Sequence, residues 1–274
     1  MASCPPQSSM LKTPFLNIER KGSYAIVTLI REPVNTMNMS MWEQLSETLD
    51  MLEANLKIRG VIFQSGLQRD VFTAGNDIME LYAPNTSQER YRKFWLVSNT
   101  FLARLYTSRL VTIAAIRGAC PAGGCCLALC CDYRIITETG SIGLNEVALG
   151  ISVPKYWGLL MQRIVGSGPA EKLLQFAVMA TPDEAKELKL VDDVVPKLKL
   201  QAAAEAAMLE LLKAPDAGRA LTKFLMRGEL AEDWKAYLIP ESESAWKQLS
   251  SPGTVAKLKG VMDRLSGKKA TSKL

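Results

Sequence analysis

Residues Val111–Ile136 read VTIAAIRGACPAGGCCLALCCDYRII, and this stretch decides the fold class. Val111–Ile116 is an almost unbroken apolar run of strand length. Cys120–Gly124 follows as a tight Pro/Gly turn, in which Pro121 fixes the bend and Gly123-Gly124 open a helix. Cys125–Cys131 is then a short helix of small residues, and Asp132–Ile136 returns to a strand. Strand, helix and strand in so short a span predict an α/β core.

The alternation extends in both directions. Upstream, Arg59–Gln64 reads as a buried strand and Glu89–Tyr106 as a long helix with aromatic and aliphatic residues at helical spacing. Phe15–Arg20 and Tyr24–Ile30 flank Lys21-Gly22-Ser23 and predict a β-hairpin. After the break at Pro33-Val34-Asn35, Ser40 with Glu43 three residues later predicts the capped start of a helix ending near Ala54. From Tyr156 onward the chain reads as helical, with breaks at Gly166-Ser167-Gly168, Pro182, Pro196, Pro215, Pro240 and Pro252. The expected division is a flexible arm (1–14), an α/β core (15–200), a helical C-terminal region (201–266) and a flexible tail (267–274). No internal sequence repeat is visible.

Composition excludes several classes of function. With 274 residues, 48% hydrophobic and 22% charged, the chain has the make-up of a globular protein rather than a disordered or fibrous one. It contains no apolar run near the roughly 20 residues that a spanning helix needs. The histidine count is 0, which removes imidazole acid/base chemistry, Ser-His-Asp and Cys-His nucleophiles and His-ligated zinc. The net charge of +5 is modest, and the cations around Arg90–Lys93 and at Lys268-Lys269 form no basic stripe for nucleic acid. Of the cysteines, Cys4 stands apart, while Cys120, Cys125, Cys126, Cys130 and Cys131 crowd an apolar stretch without C-x-x-C spacing. They read first as small buried residues in a reducing compartment, with a metal or redox site as the lesser alternative.

Three short elements could carry chemistry. Phe72-Thr73-Ala74-Gly75-Asn76-Asp77-Ile78 is a turn whose Ala74-Gly75 lets backbone N–H groups approach a ligand, with Asp77 placed to cap the segment after it. Gly118–Gly124 opens a helix whose first N–H groups favour an anion, and no Lys-Ser/Thr comes after it to make it a nucleotide phosphate loop. Ser141–Gly150 holds one carboxylate, Glu146, in a largely apolar run that would raise its pKa and suit it to act as a base. Each element alone also has a plain structural reading.

Together they resemble the enoyl-CoA hydratase/isomerase (crotonase) superfamily, and within it the Δ3,Δ2-enoyl-CoA isomerases. The specific blocks are ACPAGGC followed by CDYRI, and IGLNE followed by LGI-x-x-P. The resemblance implies a ClpP-like spiral core of ββα repeats with a helical C-terminal region. It implies an acyl-CoA substrate with its thioester oxygen between the N–H groups of Ala74 and Gly123. Ala74, Gly75, Asn76, Asp77 and Ile78 would line the CoA path, and Glu146 would be the catalytic carboxylate. It implies no metal and no cofactor beyond the CoA of the substrate, no nucleic-acid or membrane partner, and a homotrimer or hexamer built through 201–266.

Hydratases of the superfamily carry a second Glu where this chain has Cys126. A thiol is a poor substitute for a carboxylate in splitting water. That difference favours isomerisation over a 2-enoyl-CoA hydratase. A dienoyl-CoA isomerase would need an additional acidic group that the sequence does not clearly supply, and Glu146 with both glycine turns favours an enzyme over a non-catalytic acyl-CoA- or RNA-binding protein. The first fourteen residues do not read as a secretory signal. Ser272-Lys273-Leu274 matches the tripeptide read by the peroxisomal import receptor, so the peroxisomal matrix is the expected address.

Overall fold

β1 (Met10–Lys12), β2 (Leu16–Lys21) and β3 (Tyr24–Leu29) form an antiparallel meander, and the β2–β3 turn closes on Gly22 at φ +63°. The computed structural model describes residues 10–265. Cys4, most of the expected arm and the tail with Ser272-Lys273-Leu274 lie outside the described residues. α1 (Met39–Ala54) ends where the sequence predicts but starts on a different cap. Asn38 is the N-cap, its side chain accepting the Met41 N–H at 3.0 Å, and Ser40 lies inside the helix. The reason is tertiary. Met37 donates its N–H to Gly75 at 2.9 Å, so the chain is still held in extended form one residue before Asn38.

β4 (Gly60–Ser65) begins the parallel part of the sheet, followed by the short α2 (Ile78–Leu81) and the long α3 (Gln88–Thr107). Next come β5 (Val111–Ile116), β6 (Ala119–Pro121), α4 (Ala122–Cys130), β7 (Tyr133–Thr137) and β8 (Ser141–Gly143). Cys120–Gly124 is therefore more than a turn, since it contains the end of β6 and the start of α4. α5 (Lys155–Val165), α6 (Ser167–Gln175), α7 (Pro182–Glu187), β9 (Asp193–Val195), α8 (Leu200–Leu211), α9 (Asp216–Leu249) and α10 (Pro252–Leu265) complete the chain.

The main sheet has the order β1-β2-β3-β4-β5-β7-β9, parallel from β3 onward. β4, β5 and β7 each lead into a short second step. Val71 bridges Ala119, and β6 pairs in parallel with β8, making a small second ladder beside the sheet. This repeated step is the spiral of the crotonase fold. The two faces of the sheet follow the two-residue strand period. Ile26, Ile62 and Ile113 pack against Ala204 and Met208 of α8 on one face. Val27, Phe63 and Ala114 face the large core shared with α1, α3 and α4 on the other.

Two expectations for the C-terminal half are corrected. β9 stands just before the break at Pro196, in a stretch that reads as helix, because three residues suffice to add a parallel edge to β7. Pro240 does not break the chain, since α9 runs through it for 34 residues. Pro240 and Ala236, whose carbonyl loses its intrahelical donor, are both exposed, so water can satisfy that carbonyl. Among the described residues no helix is long and apolar enough to cross a membrane.

Candidate active site

The first glycine turn is held from below by Asn35, which is fully buried. Its Nδ2 donates to Phe72 O and Ser65 Oγ, both at 3.0 Å, and its Oδ1 accepts the Arg31 N–H at 2.8 Å. Thr73 Oγ1 donates to the Asn35 carbonyl at 2.7 Å and accepts the Gly75 N–H at 3.0 Å. Asp77 caps α2 through the Met79 N–H at 3.1 Å and pairs with Arg31 at 3.0 Å. Gly75 sits at φ +83°, a conformation that strains any other residue.

This geometry corrects one assignment. The Ala74 N–H is not available to a ligand, because it donates to the Val34 carbonyl at 2.9 Å. The N–H groups of Gly75 and Asp77 are likewise used, the latter by Met37 O at 3.1 Å. Asn76 is the member of Ala74–Asp77 whose N–H meets no acceptor among the described residues. Its side chain is tied back, with Oδ1 accepting the Trp42 indole N–H at 3.1 Å.

The second glycine turn lies directly against the first. A Cβ built on Gly75 would be 3.0 Å from Ala122 Cβ and 3.2 Å from the Pro121 carbonyl oxygen, and one on Gly123 would be 2.8 Å from Asn76 Oδ1. Both glycines are therefore required by the close approach of the two loops. Gly123 stands in the first turn of α4, where an N–H has no intrahelical acceptor. The two turns thus bring the free N–H of Asn76 near the first turn of a helix, an arrangement suited to an oxyanion.

Glu146 opens a 3-10 turn, Glu146–Leu149, that ends on Gly150 at φ +79°. Its residue is only 4% exposed, and neither carboxylate oxygen has a hydrogen-bond partner among the described residues. Burial pushes its pKa up to about 7, partly offset by its own nearby N–H, which lies outside bonding geometry. A carboxyl titrating there can both take and return a proton near neutral pH. Ala74, Asn76, Ile78, Ala122 and Glu146 open on one cleft of ≈ 540 Å³, with Trp95 and Trp157 among its apolar walls. Cys126 is fully buried near Glu146, and burial holds its thiol in the neutral form.

Of the residues the sequence singles out, Ala74, Asn76, Ile78 and Glu146 meet in the cleft, with Gly75 and Gly123 packed behind it. Asp77 serves the loop rather than the cleft. Sequence reading missed a second cleft carboxylate, Glu241, and the neighbouring Gln248, both on α9. Glu241 sits among charged and polar residues of a long helix, and nothing local marks it.

A spiral α/β core with two abutting glycine turns and a buried carboxylate that meets no partner among the described residues describes an enzyme of the enoyl-CoA hydratase/isomerase class. The profile of the enoyl-CoA hydratase/isomerase family matches residues 19–244, and the chain belongs to that family. It is 36% identical over 224 residues to mouse mitochondrial enoyl-CoA delta isomerase 1, covering 81% of this chain and 76% of the relative. It is 32% identical over 214 residues to a short-chain-enoyl-CoA hydratase of Clostridium acetobutylicum, covering 77% of this chain and 80% of that one. Its structure resembles that of human mitochondrial delta3-delta2-enoyl-CoA isomerase with a TM-score of 0.88 at 33% identity, covering 93% of this chain and 99% of the other.

Proposed function

We propose that the protein is a Δ3,Δ2-enoyl-CoA isomerase of fatty acid β-oxidation, converting 3-enoyl-CoA to trans-2-enoyl-CoA. The observation that carries this reading is Glu146, a buried carboxylate neither of whose oxygens has a partner among the described residues, in one cleft with the free N–H of Asn76. The mouse and human isomerase relatives support the same activity.

Ionised Glu146 takes a proton from C2, and the electron pair moves through the thioester carbonyl to its oxygen. The N–H groups of Asn76 and Gly123 hold the resulting dienolate oxygen, and the N-terminus of α4 adds its dipole. The same carboxyl then returns the proton to C4 as the double bond forms between C2 and C3. Hydration would need a second acid/base group at the double bond, and the position the superfamily uses for it holds the neutral thiol of Cys126.

The test gives the purified protein trans-3-hexenoyl-CoA and, separately, trans-2-hexenoyl-CoA. The expected result is conjugated 2-enoyl product from the first, no 3-hydroxyacyl-CoA from either, and loss of turnover in Glu146→Gln. The rate of the intact enzyme should fall on the acid side with an apparent pKa near 7, because the base must be ionised. Hydration of the 2-enoyl ester overturns the isomerase reading.

A homotrimeric or hexameric state is part of the same proposal. Its support is the set of exposed apolar residues Leu221, Phe224, Leu225 and Met226 on α9, and sedimentation measures it directly. A peroxisomal address rests on Ser272-Lys273-Leu274 as the carboxyl end, whereas the mouse and human isomerases are mitochondrial. Import of a fluorescent fusion with and without that tripeptide decides between the two.

A further inference from the structure

The segment that leaves Glu146 is fastened to α9 at two points. Ile151 donates its N–H to the Glu146 carbonyl at 3.3 Å, which ties the strap Gly150–Lys155 to the catalytic residue itself. One residue on, Gln248 Oε1 accepts both the Ser152 N–H at 3.1 Å and the Ser152 hydroxyl at 3.0 Å. At the far end of the strap, Glu241 Oε1 accepts the Lys155 N–H at 2.8 Å. Lys155 begins α5, which has no side-chain cap of its own, so Glu241 supplies that cap from another helix. Glu241 and Gln248 are seven residues apart and so share one face of α9.

Helix docking alone does not account for Glu241. It is 8% exposed, it lines the cleft, and its second oxygen has no hydrogen-bond partner among the described residues. A buried carboxylate is an expensive way to join two helices unless its placement matters. From these contacts we infer that Glu241 and Gln248 are positioning residues for the isomerase reaction, holding the Gly150–Lys155 strap so that the Glu146 carboxylate stays dry and aimed at the substrate.

This inference rests on the isomerase reading and deepens it. The groups facing the strap are few. The thiols of Cys125 and Cys126 on α4 face Glu146, and both are neutral. The Lys257 side chain of α10 packs on Gly150. Around Glu241 stand Lys155, Trp95, Tyr91 and Tyr156. None of these replaces the two acceptors on α9.

The experiment compares Glu241→Ala, Glu241→Gln and Gln248→Ala with the intact enzyme. It measures kcat and KM for trans-3-hexenoyl-CoA across pH, binding of unreactive hexanoyl-CoA, and Tm. For Glu241→Ala, kcat should fall by about 10²-fold, the cost of a small misplacement at the reacting centre, with hexanoyl-CoA binding kept. The acid limb of its rate profile should move down toward the ordinary carboxylate range as water reaches Glu146. Glu241→Gln keeps an oxygen for Lys155 and should recover most of the loss. Gln248→Ala should show the same signature more weakly.

Variants that lower Tm but leave kcat and the acid limb unmoved overturn the inference. Glu241→Gln being as impaired as Glu241→Ala also overturns it. Should Glu241→Ala fail to bind hexanoyl-CoA, Glu241→Gln and Gln248→Ala decide the matter by the same criteria. Failure of the intact enzyme to isomerise the substrate is a different result, and it removes the isomerase reading instead.

Discussion

A carboxyl group kept dry weakens the protein that keeps it. Glu146 titrates near 7 in the folded chain, against an ordinary value of 4.5. Between those values the folded state holds a proton that the unfolded state has lost, so stability falls as pH rises through that window. The full loss amounts to about 3 kcal/mol. Glu146→Gln cannot ionise and should escape it. Denaturant unfolding at pH 8 should find this variant more stable than the intact protein by up to that amount, with the gap closing by about pH 4. An unchanged gap across pH would mean that the carboxylate is hydrated. The residue was legible in the sequence because its apolar surroundings are local. The free N–H opposite was not, since Val34, some forty positions away in the chain, decides that Ala74 is occupied and Asn76 is not.

At the scale of elements, most boundaries follow from local pattern, and the exceptions have a common cause. The start of α1 is set by Met37 bonding across to Gly75, so the cap falls on Asn38 rather than Ser40. Asn38→Ala should therefore cost about 1 kcal/mol of stability, whereas Ser40→Ala should cost little. Equal losses from the two would return the cap to Ser40. Pro240 misleads for a similar reason, because sequence records its missing N–H but not that Pro240 and Ala236 lie on an exposed face of the helix. β9 is too short to announce itself and exists by virtue of β7 beside it. In each case the decisive partner is distant in sequence.

At the scale of the whole molecule, α9 joins parts that the sequence keeps far apart. At one end Lys223 donates to Asp132 at 2.8 Å and to the Leu110 carbonyl at 3.0 Å, anchoring the helix beside the β5 and β7 strands. Further along, Trp234 and Leu238 enter the main core, and Glu241 and Gln248 reach the strap that follows Glu146. The two glycine turns and Glu146 could be read from short motifs, and they define the family. The helix that completes the cleft could not, because its role is written in pairs of residues about 90 positions apart.

The five cysteines from Cys120 to Cys131 lie in the same interior, all buried and free, and burial raises the pKa of Cys120, Cys125, Cys126 and Cys131. A thiol reacts as the thiolate and only where reagent can reach it. These positions should thus resist alkylation and peroxide in the native protein and become labelled only when the core opens. Peptide mass spectrometry of iodoacetamide-treated protein, followed over time, would then turn them into a clock for that opening, slowed by bound acyl-CoA. Rapid labelling of the native enzyme would show instead that the layer around α4 breathes far more than its packing implies.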